Sequence, residues 1–188
     1  MGVSSISFVP KIQQKQLLGS HIGATIRWIT EKNLGLLAEV NFSQQGWDEA
    51  FDNPQHAYTR RLNFIDIPFL THIYFGGKRV RVFANLGPKI GFLFSESTSE
   101  NVIASPPQDN SLPYQTEQWE LPAKNAFAWG LCGGPGIELR TGIGIFQLEG
   151  RYYYALGDLF GNRKADYFPK SSSQVILGKV TYLIPILK

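Results

Sequence analysis

The residues of this 188-residue chain that could do chemistry are few. His56 follows Asp48 and Asp52, and hydroxyl-rich stretches stand at 95–99 and 171–173. A hydrolase or acyltransferase needs a His oriented by a carboxylate beside a hydroxyl it can activate. No fixed spacing links these residues, so no catalytic residue is assigned and no enzymatic activity is expected. The chain has three histidines, His21, His56 and His72, none paired at metal-ligand spacing. Cys132 is the single cysteine, which excludes an intrachain disulfide and a multi-cysteine metal site. Gly133-Gly134-Pro135-Gly136 lacks the spacing and the following helix of a dinucleotide fingerprint. The sequence therefore predicts no metal and no cofactor.

The side chains that do form a pattern are ionic. Arg27, Glu39, Asp66, Arg81, Lys89, Glu138, Arg140, Glu149, Arg151 and Lys179 all occupy one row of extended, alternating segments. That row is otherwise small or polar, and the opposite row is apolar and aromatic. The 126–157 stretch shows it best. Phe127, Trp129, Leu131, Ile137 and Leu139 alternate with Ala128, Gly130, Cys132, Glu138 and Arg140. After a tight turn at Thr141-Gly142, Phe146, Leu148, Tyr152, Tyr154 and Leu156 alternate with Gln147, Glu149, Arg151 and Tyr153. A period of two means strands, and these runs exceed the usual length of about 5–6 residues. A membrane-spanning barrel requires this pattern, with lipid outside and a polar lumen inside. Both signs of charge share the lumen row, so ion pairing is expected, with Glu138/Arg140 and Glu149/Arg151 each bridging along a strand. A narrow barrel filled in this way is a structural plug or, failing that, a narrow pore.

The elements that would position this row are eight strands. They are predicted at 2–9, 21–30, 34–47, 60–75, 79–95, at two runs within 126–157, and at 174–187. Pro68 cannot donate to a ladder, which predicts a bulge there. The connections alternate: 31–33, 76–78 and 141–142 are short, whereas 10–20, 48–59, 96–125 and 158–173 are long and polar. Short periplasmic turns with long extracellular loops give this rhythm in an all-β, single eight-stranded antiparallel up-and-down transmembrane barrel. Trp28, Phe75 and Phe146 fall near the short turns. Trp47, Phe92, Phe94, Trp129, Tyr152 and Tyr154 fall near the long loops. Two such bands predict aromatic girdles at the two lipid interfaces.

Composition agrees. Charged residues make up 18% and aromatics 13%, with a net charge of +3 and no clustering of the cations, so a nucleic-acid face is not expected. No run of about 18 apolar residues could form a transmembrane helix. The sequence opens almost directly in strand-like residues. The expectation is one barrel domain over 1–188, with a leader and part of the first strand not included in it.

Four stretches carry a family resemblance: GLLAEVNFSQQGW, RLNFIDIPFLTHIYFG, VFANLGPKIGFLFS and LCGGPGIELRTGIGIFQLEGRYYYALGDLF. In order and spacing they resemble the small outer-membrane β-barrel proteins of the porin and PorT families, from about residue 20 to the end. The resemblance implies an eight-stranded barrel in the outer membrane of a Gram-negative bacterium, without enzymatic activity or a known ligand. Some relatives of that kind serve protein secretion or gliding. The expected role is structural, adhesive, assembly- or secretion-associated. It is exerted through the long loops, with outer-membrane lipid around the wall and a protein partner at the loops. The rival expectation is a soluble or periplasmic lipocalin-like barrel with a small apolar ligand inside. The two differ in which row faces the axis.

Overall fold

The computed structural model describes residues 1–9, 14–49, 57–101, 126–159 and 170–185. They form ten strands and, among the described residues, no helix. The strands are β1 (Gly2–Val9), β2 (Gln14–Lys15), β3 (Leu17–Gly19), β4 (His21–Glu31), β5 (Leu34–Glu49), β6 (Ala57–Gly76), β7 (Val80–Asn101), β8 (Phe127–Arg140), β9 (Ile145–Asp158) and β10 (Lys170–Leu183). All pairings are antiparallel, in the order β2-β5-β6-β7-β8-β9-β10-β1-β3, with β4 hung on β5.

The segment 10–20, expected to be a loop, carries β2 and β3 instead. They are short because they change sides. β2 and β4 pair with β5, whereas β3 pairs with β1 through Gly2↔Gly19, Val3↔Leu18 and Ser4↔Leu17. The second extended segment of the chain thus touches both ends of the sheet. Ser4 ties the ends together further, because its hydroxyl meets Gly46 O at 3.1 Å and accepts from Gly46 N at 3.0 Å. Gly46 has φ +148°, and a Cβ there would lie 2.0 Å from Arg60 O, so no larger residue fits this crossing. The wall is still incomplete: alongside the lower half of β10 a slot of about 400 Å³ separates it from β4.

The tight connections are local in origin. Asn33 turns β4 into β5 at φ 71°, an angle that Asn tolerates better than most residues. Gly76, at φ +130°, opens the next turn, and Gly77 N donates to Val80 O. At the third, Thr141 N and its hydroxyl both donate to Gly144 O at 2.8 Å. The bulge expected at Pro68 lies elsewhere, since Pro68↔Lys89 sits in the regular register and the shift falls between Asn63 and Phe64. Pro68 acts on the other ladder. No pairs join β5 to β6 between Ala38↔Phe69 and Asn41↔Asp66, where the missing N–H would be needed. The last strand begins earlier than predicted, at Lys170, and ends at Leu183.

The two rows face as the alternation predicts. Trp28, Phe69, Val82, Leu86, Ile137, Leu148, Ile176 and Val180 are exposed on the outside. Glu39, Asp66, His72, Asn85, Lys89, Glu138, Glu149 and Arg151 are buried inside. The burial of charge beneath exposed isoleucine, leucine and phenylalanine inverts the usual order of a water-soluble domain.

Candidate functional site

The candidate site is the ion-paired interior. It is built by strands far apart in sequence, because the curl of the sheet brings their inward rows face to face. Arg151, on β9, lies at its centre. Its Nε donates to Glu149 Oε1 at 2.7 Å, and its Nη1 and Nη2 donate to Glu39 of β5 at 2.7 and 3.0 Å. Both forks of the guanidinium are used, a planar geometry that lysine could not reproduce. Lys179 of β10 joins the same cluster from the next strand, with Nζ 2.7 Å from Glu39 Oε1 and 3.4 Å from Thr25 Oγ1 of β4.

Two further pairs share the interior. Lys89 Nζ lies 2.8 Å from Asp66 Oδ2, and Ser43 and Gln45 donate to the same oxygen at 2.5 and 3.3 Å. The ammonium also sits 3.3 Å from the centroid of the Tyr153 ring. Nearer the short turns, Arg27 bonds Glu138 across the interior, and Gln147 donates to the same carboxylate at 2.9 Å. Apolar side chains fill the spaces between the pairs: Leu37, Leu70, Cys132, Ala155 and Val175 are all buried. Cys132 is one of these packing residues.

Of the ten charged residues in the predicted row, Arg27, Glu39, Asp66, Lys89, Glu138, Glu149, Arg151 and Lys179 meet in these pairs. Arg81 does not join them, and Arg140 does so only through a long contact to Glu138. Arg81 lies over the Tyr74 ring at 4.7 Å and donates to Gly77 O at the turn. Arg140 stays 3.8 Å from Glu138 with 39% of its side chain exposed, because Glu138 is engaged by Arg27 across the interior. The Glu149/Arg151 bridge along the strand is present, and Glu138 stands opposite Gln147, out of register with that pair.

Trp28, Phe75, Phe92, Phe94, Trp129, Phe146 and Tyr152 lie exposed on the outer face. Tyr154 is half-buried. Their rings contact one another along two lines. Phe42–Phe94 and Phe92–Phe127 have centroids 5.8 and 5.4 Å apart at the long-connection end, and Phe146–Tyr182 4.9 Å at the other. Trp47 is a correction. It is 0% exposed and points inward, with Nε1 3.2 Å from Glu49 and Arg60 stacked 5.5 Å from its ring. The alternation already says so, since Trp47 shares the parity of Glu39, Ser43 and Gln45.

Sequence reasoning assigned no role to Arg60, which is buried and bonded to Glu96. Extending the Asp66–Phe64 row upward by two more steps reaches it. Gln147 and Ser43 were equally legible as inward positions, but their part in holding Glu138 and Asp66 depends on contacts across strands. Asp52 and His56 lie outside the described residues. Among the described residues, no cluster of His, Cys, Asp or Glu suits a metal ion.

An antiparallel sheet curled around paired charges, apolar outside and girdled by aromatics, is the construction of a β-barrel made for a bilayer. Residues 1–161 match the family described as outer membrane protein beta-barrel domain, so the chain belongs to that family and resides in the outer membrane. No curated protein matches the chain.

Proposed function

We propose that the chain is a plugged eight-stranded up-and-down barrel, closed apart from the slot beside β10. Its role is structural, adhesive, assembly- or secretion-associated, is exerted through its long outer connections, and involves no catalysis. Counting β2, β3 and β4 as one interrupted strand gives the even number that small single-chain barrels use. The short turns then face the periplasm and the long connections face outward. Loops on a rigid wall are where recognition concentrates, so a protein partner is expected there and lipid around the wall. Nucleic acid is not expected as a partner. The four strand motifs suit membership among the porin-family and PorT-family barrels.

The observation that carries this reading is the neutral interior. Arg27, Lys89, Arg151 and Lys179 are matched by Glu39, Asp66, Glu138 and Glu149. A space of about 30 Å³ is left beside Asp66, Lys89 and Arg151, another of about 20 Å³ lies near Ile6 and Leu62, and the larger slot of about 400 Å³ that reaches Arg151 and Lys179 opens through the wall. The two small spaces hold a water molecule at most, so neither a solute path nor a lipocalin-like ligand fits between the ion pairs. Single-channel recording in planar bilayers tests the plug. The chain and its Glu149→Gln/Arg151→Gln variant should both give a flat baseline. Discrete steps in the unmodified chain would replace the plug with a pore. Recovery of the protein from cells without detergent would revive the soluble reading.

A further inference from the structure

The slot beside β10 has the shape of a missing strand. β1 pairs with β10 in the register Gly2↔Leu177 and with β3 in the register Gly2↔Gly19. The first ladder runs up to Met1, which exchanges two hydrogen bonds of 3.0 Å with Gly178. Stepping back from Met1 in the same two registers, five further positions fall opposite 179–183 of β10 and 21–25 of β4. Most of the slot's lining comes from those two runs, with Met1, Leu177 and Gly178 at one end and Asn41 and Arg151 behind.

Both edges carry backbone groups that point into the slot. Bonding alternates along a strand, so Met1↔Gly178 fixes Val180 and Tyr182 as the β10 residues facing it. On β4, Ser20 O accepts from Gln44 of β5, which turns His21, Gly23 and Thr25 the other way, into the slot. Among the described residues no ladder partner meets them. Ile22, Val180 and Tyr182 are exposed on the outer, lipid-facing side at this level. Hydrocarbon offers no hydrogen bonds to an open sheet edge, and a lipid chain cannot supply them.

We propose that this slot is a strand-acceptor site. It takes an extended polypeptide segment of about five residues joined to the amino group of Met1, antiparallel to both β10 and β4. A separate peptide is disfavoured, because it would leave its carboxylate and the Met1 ammonium side by side within the wall. The register also sets the side-chain chemistry. Gly2, Ser4 and Ile6 point inward and Met1 outward. The residue before Met1 therefore points inward, between Lys179 and His21, and the next toward lipid. The segment should read polar–apolar–polar–apolar–polar.

The proposal rests on the barrel reading, and the test separates the two. Ser-Ile-Thr-Val-Ser is joined to Met1, and a second variant carries the inverted order Ile-Ser-Val-Thr-Ile. Amide hydrogen exchange is then followed in phospholipid bilayers. With the first segment, exchange at Gly23, Thr25, Val180 and Tyr182 should slow at least about tenfold relative to the chain as it stands. The inverted segment should leave it unchanged. Equal slowing by both segments, no slowing by the first, or the same slowing by Ser-Ile-Thr-Val-Ser added as a free peptide would each overturn the proposal. Heat-modifiable gel migration of the unextended chain reports the barrel itself, and its absence would overturn that reading and the slot with it.

Discussion

The middle of the wall and its long-connection end place their polar and apolar residues on opposite faces. Along β6, Ile67, Phe69, Ile73 and Phe75 face outward while Asp66, His72 and Tyr74 face inward. Above Phe64 the outer face turns polar, with Arg61 and Asn63 outward, whereas inside Tyr58, Leu62 and Phe64 join Ile6, Trp47 and Leu159 in an apolar cluster that admits Arg60 with its partner Glu96. The neighbouring strands change at the same level. On β5 the outward row passes from Phe42 to Gln44, and on β7 from Phe94 to Ser95. Phe42↔Ile65↔Phe92↔Phe127 is one continuous ladder line. Below that line the outside solvent is hydrocarbon, and above it is water. From Ile65 to Phe75, at about 3.3 Å per residue and a tilt of about 40°, the apolar band measures ~25 Å, the height expected of an outer-membrane barrel. Parity fixes which way a side chain points. The solvent beyond the wall decides which chemistry should point there.

The comparison predicts two separate seats of stability. The largest loss is expected from Arg151→Met, which strips Glu39 and Glu149 of their shared cation. Breaking a buried pair in this way costs about 3–5 kcal/mol. Urea unfolding of the protein folded into lipid vesicles, followed by tryptophan fluorescence, measures it. In a Glu39→Gln/Glu149→Gln background the same substitution should cost much less. A full loss in that background would mean that Arg151 acts through packing rather than charge.

Trp47→Ala attacks the upper end and should cost about 3–5 kcal/mol, as expected for a large aromatic removed from a packed site. It contacts Glu49 and Arg60, whereas Arg151 is held by Glu39 and Glu149, so the two losses should add to within about 0.5 kcal/mol. Strong coupling would show that the ionic middle and the apolar end are a single unit.

The outer face gives a sharper contrast at smaller amplitude. Leu86 is 65% exposed, and it lies about midway along the apolar row of β7. Leu86→Arg should cost about 2–4 kcal/mol, since it places a charge against the hydrocarbon midplane. Ser97→Arg, on the same strand beyond Phe94, should change stability by no more than about 0.5 kcal/mol. Equal costs at the two positions would erase the boundary drawn at the Phe42–Phe127 line.

These positions also show what could be read without coordinates. Strand placement, facing and loop rhythm follow from alternation, a local property, and they were legible over most of the chain. Trp47 departs from the girdle expected of aromatics near a long loop because its own parity turns it inward. The pairing of Arg27 with Glu138, 111 residues apart, was not legible, because it depends on how far the sheet curls. β2 and β3 were hidden for the same reason: Gln14–Lys15 and Leu17–Gly19 are too short for periodicity to register, and only ladders to β5 and β1 make them strands.

The rim at the short turns should matter least. Arg140 shares the inward row of Glu138, and a sequence argument would give it the weight of Arg151. It is nevertheless 39% exposed and 3.8 Å from a carboxylate that Arg27 and Gln147 already satisfy. Screening and side-chain entropy reduce such a contact to less than about 1 kcal/mol. Arg140→Gln should therefore fall within that limit in the same vesicle unfolding assay, and raising salt to 0.5 M should remove what difference remains. A cost near that of Arg151→Met would place the lower boundary of the ionic interior beyond the turn, and Arg140 inside it.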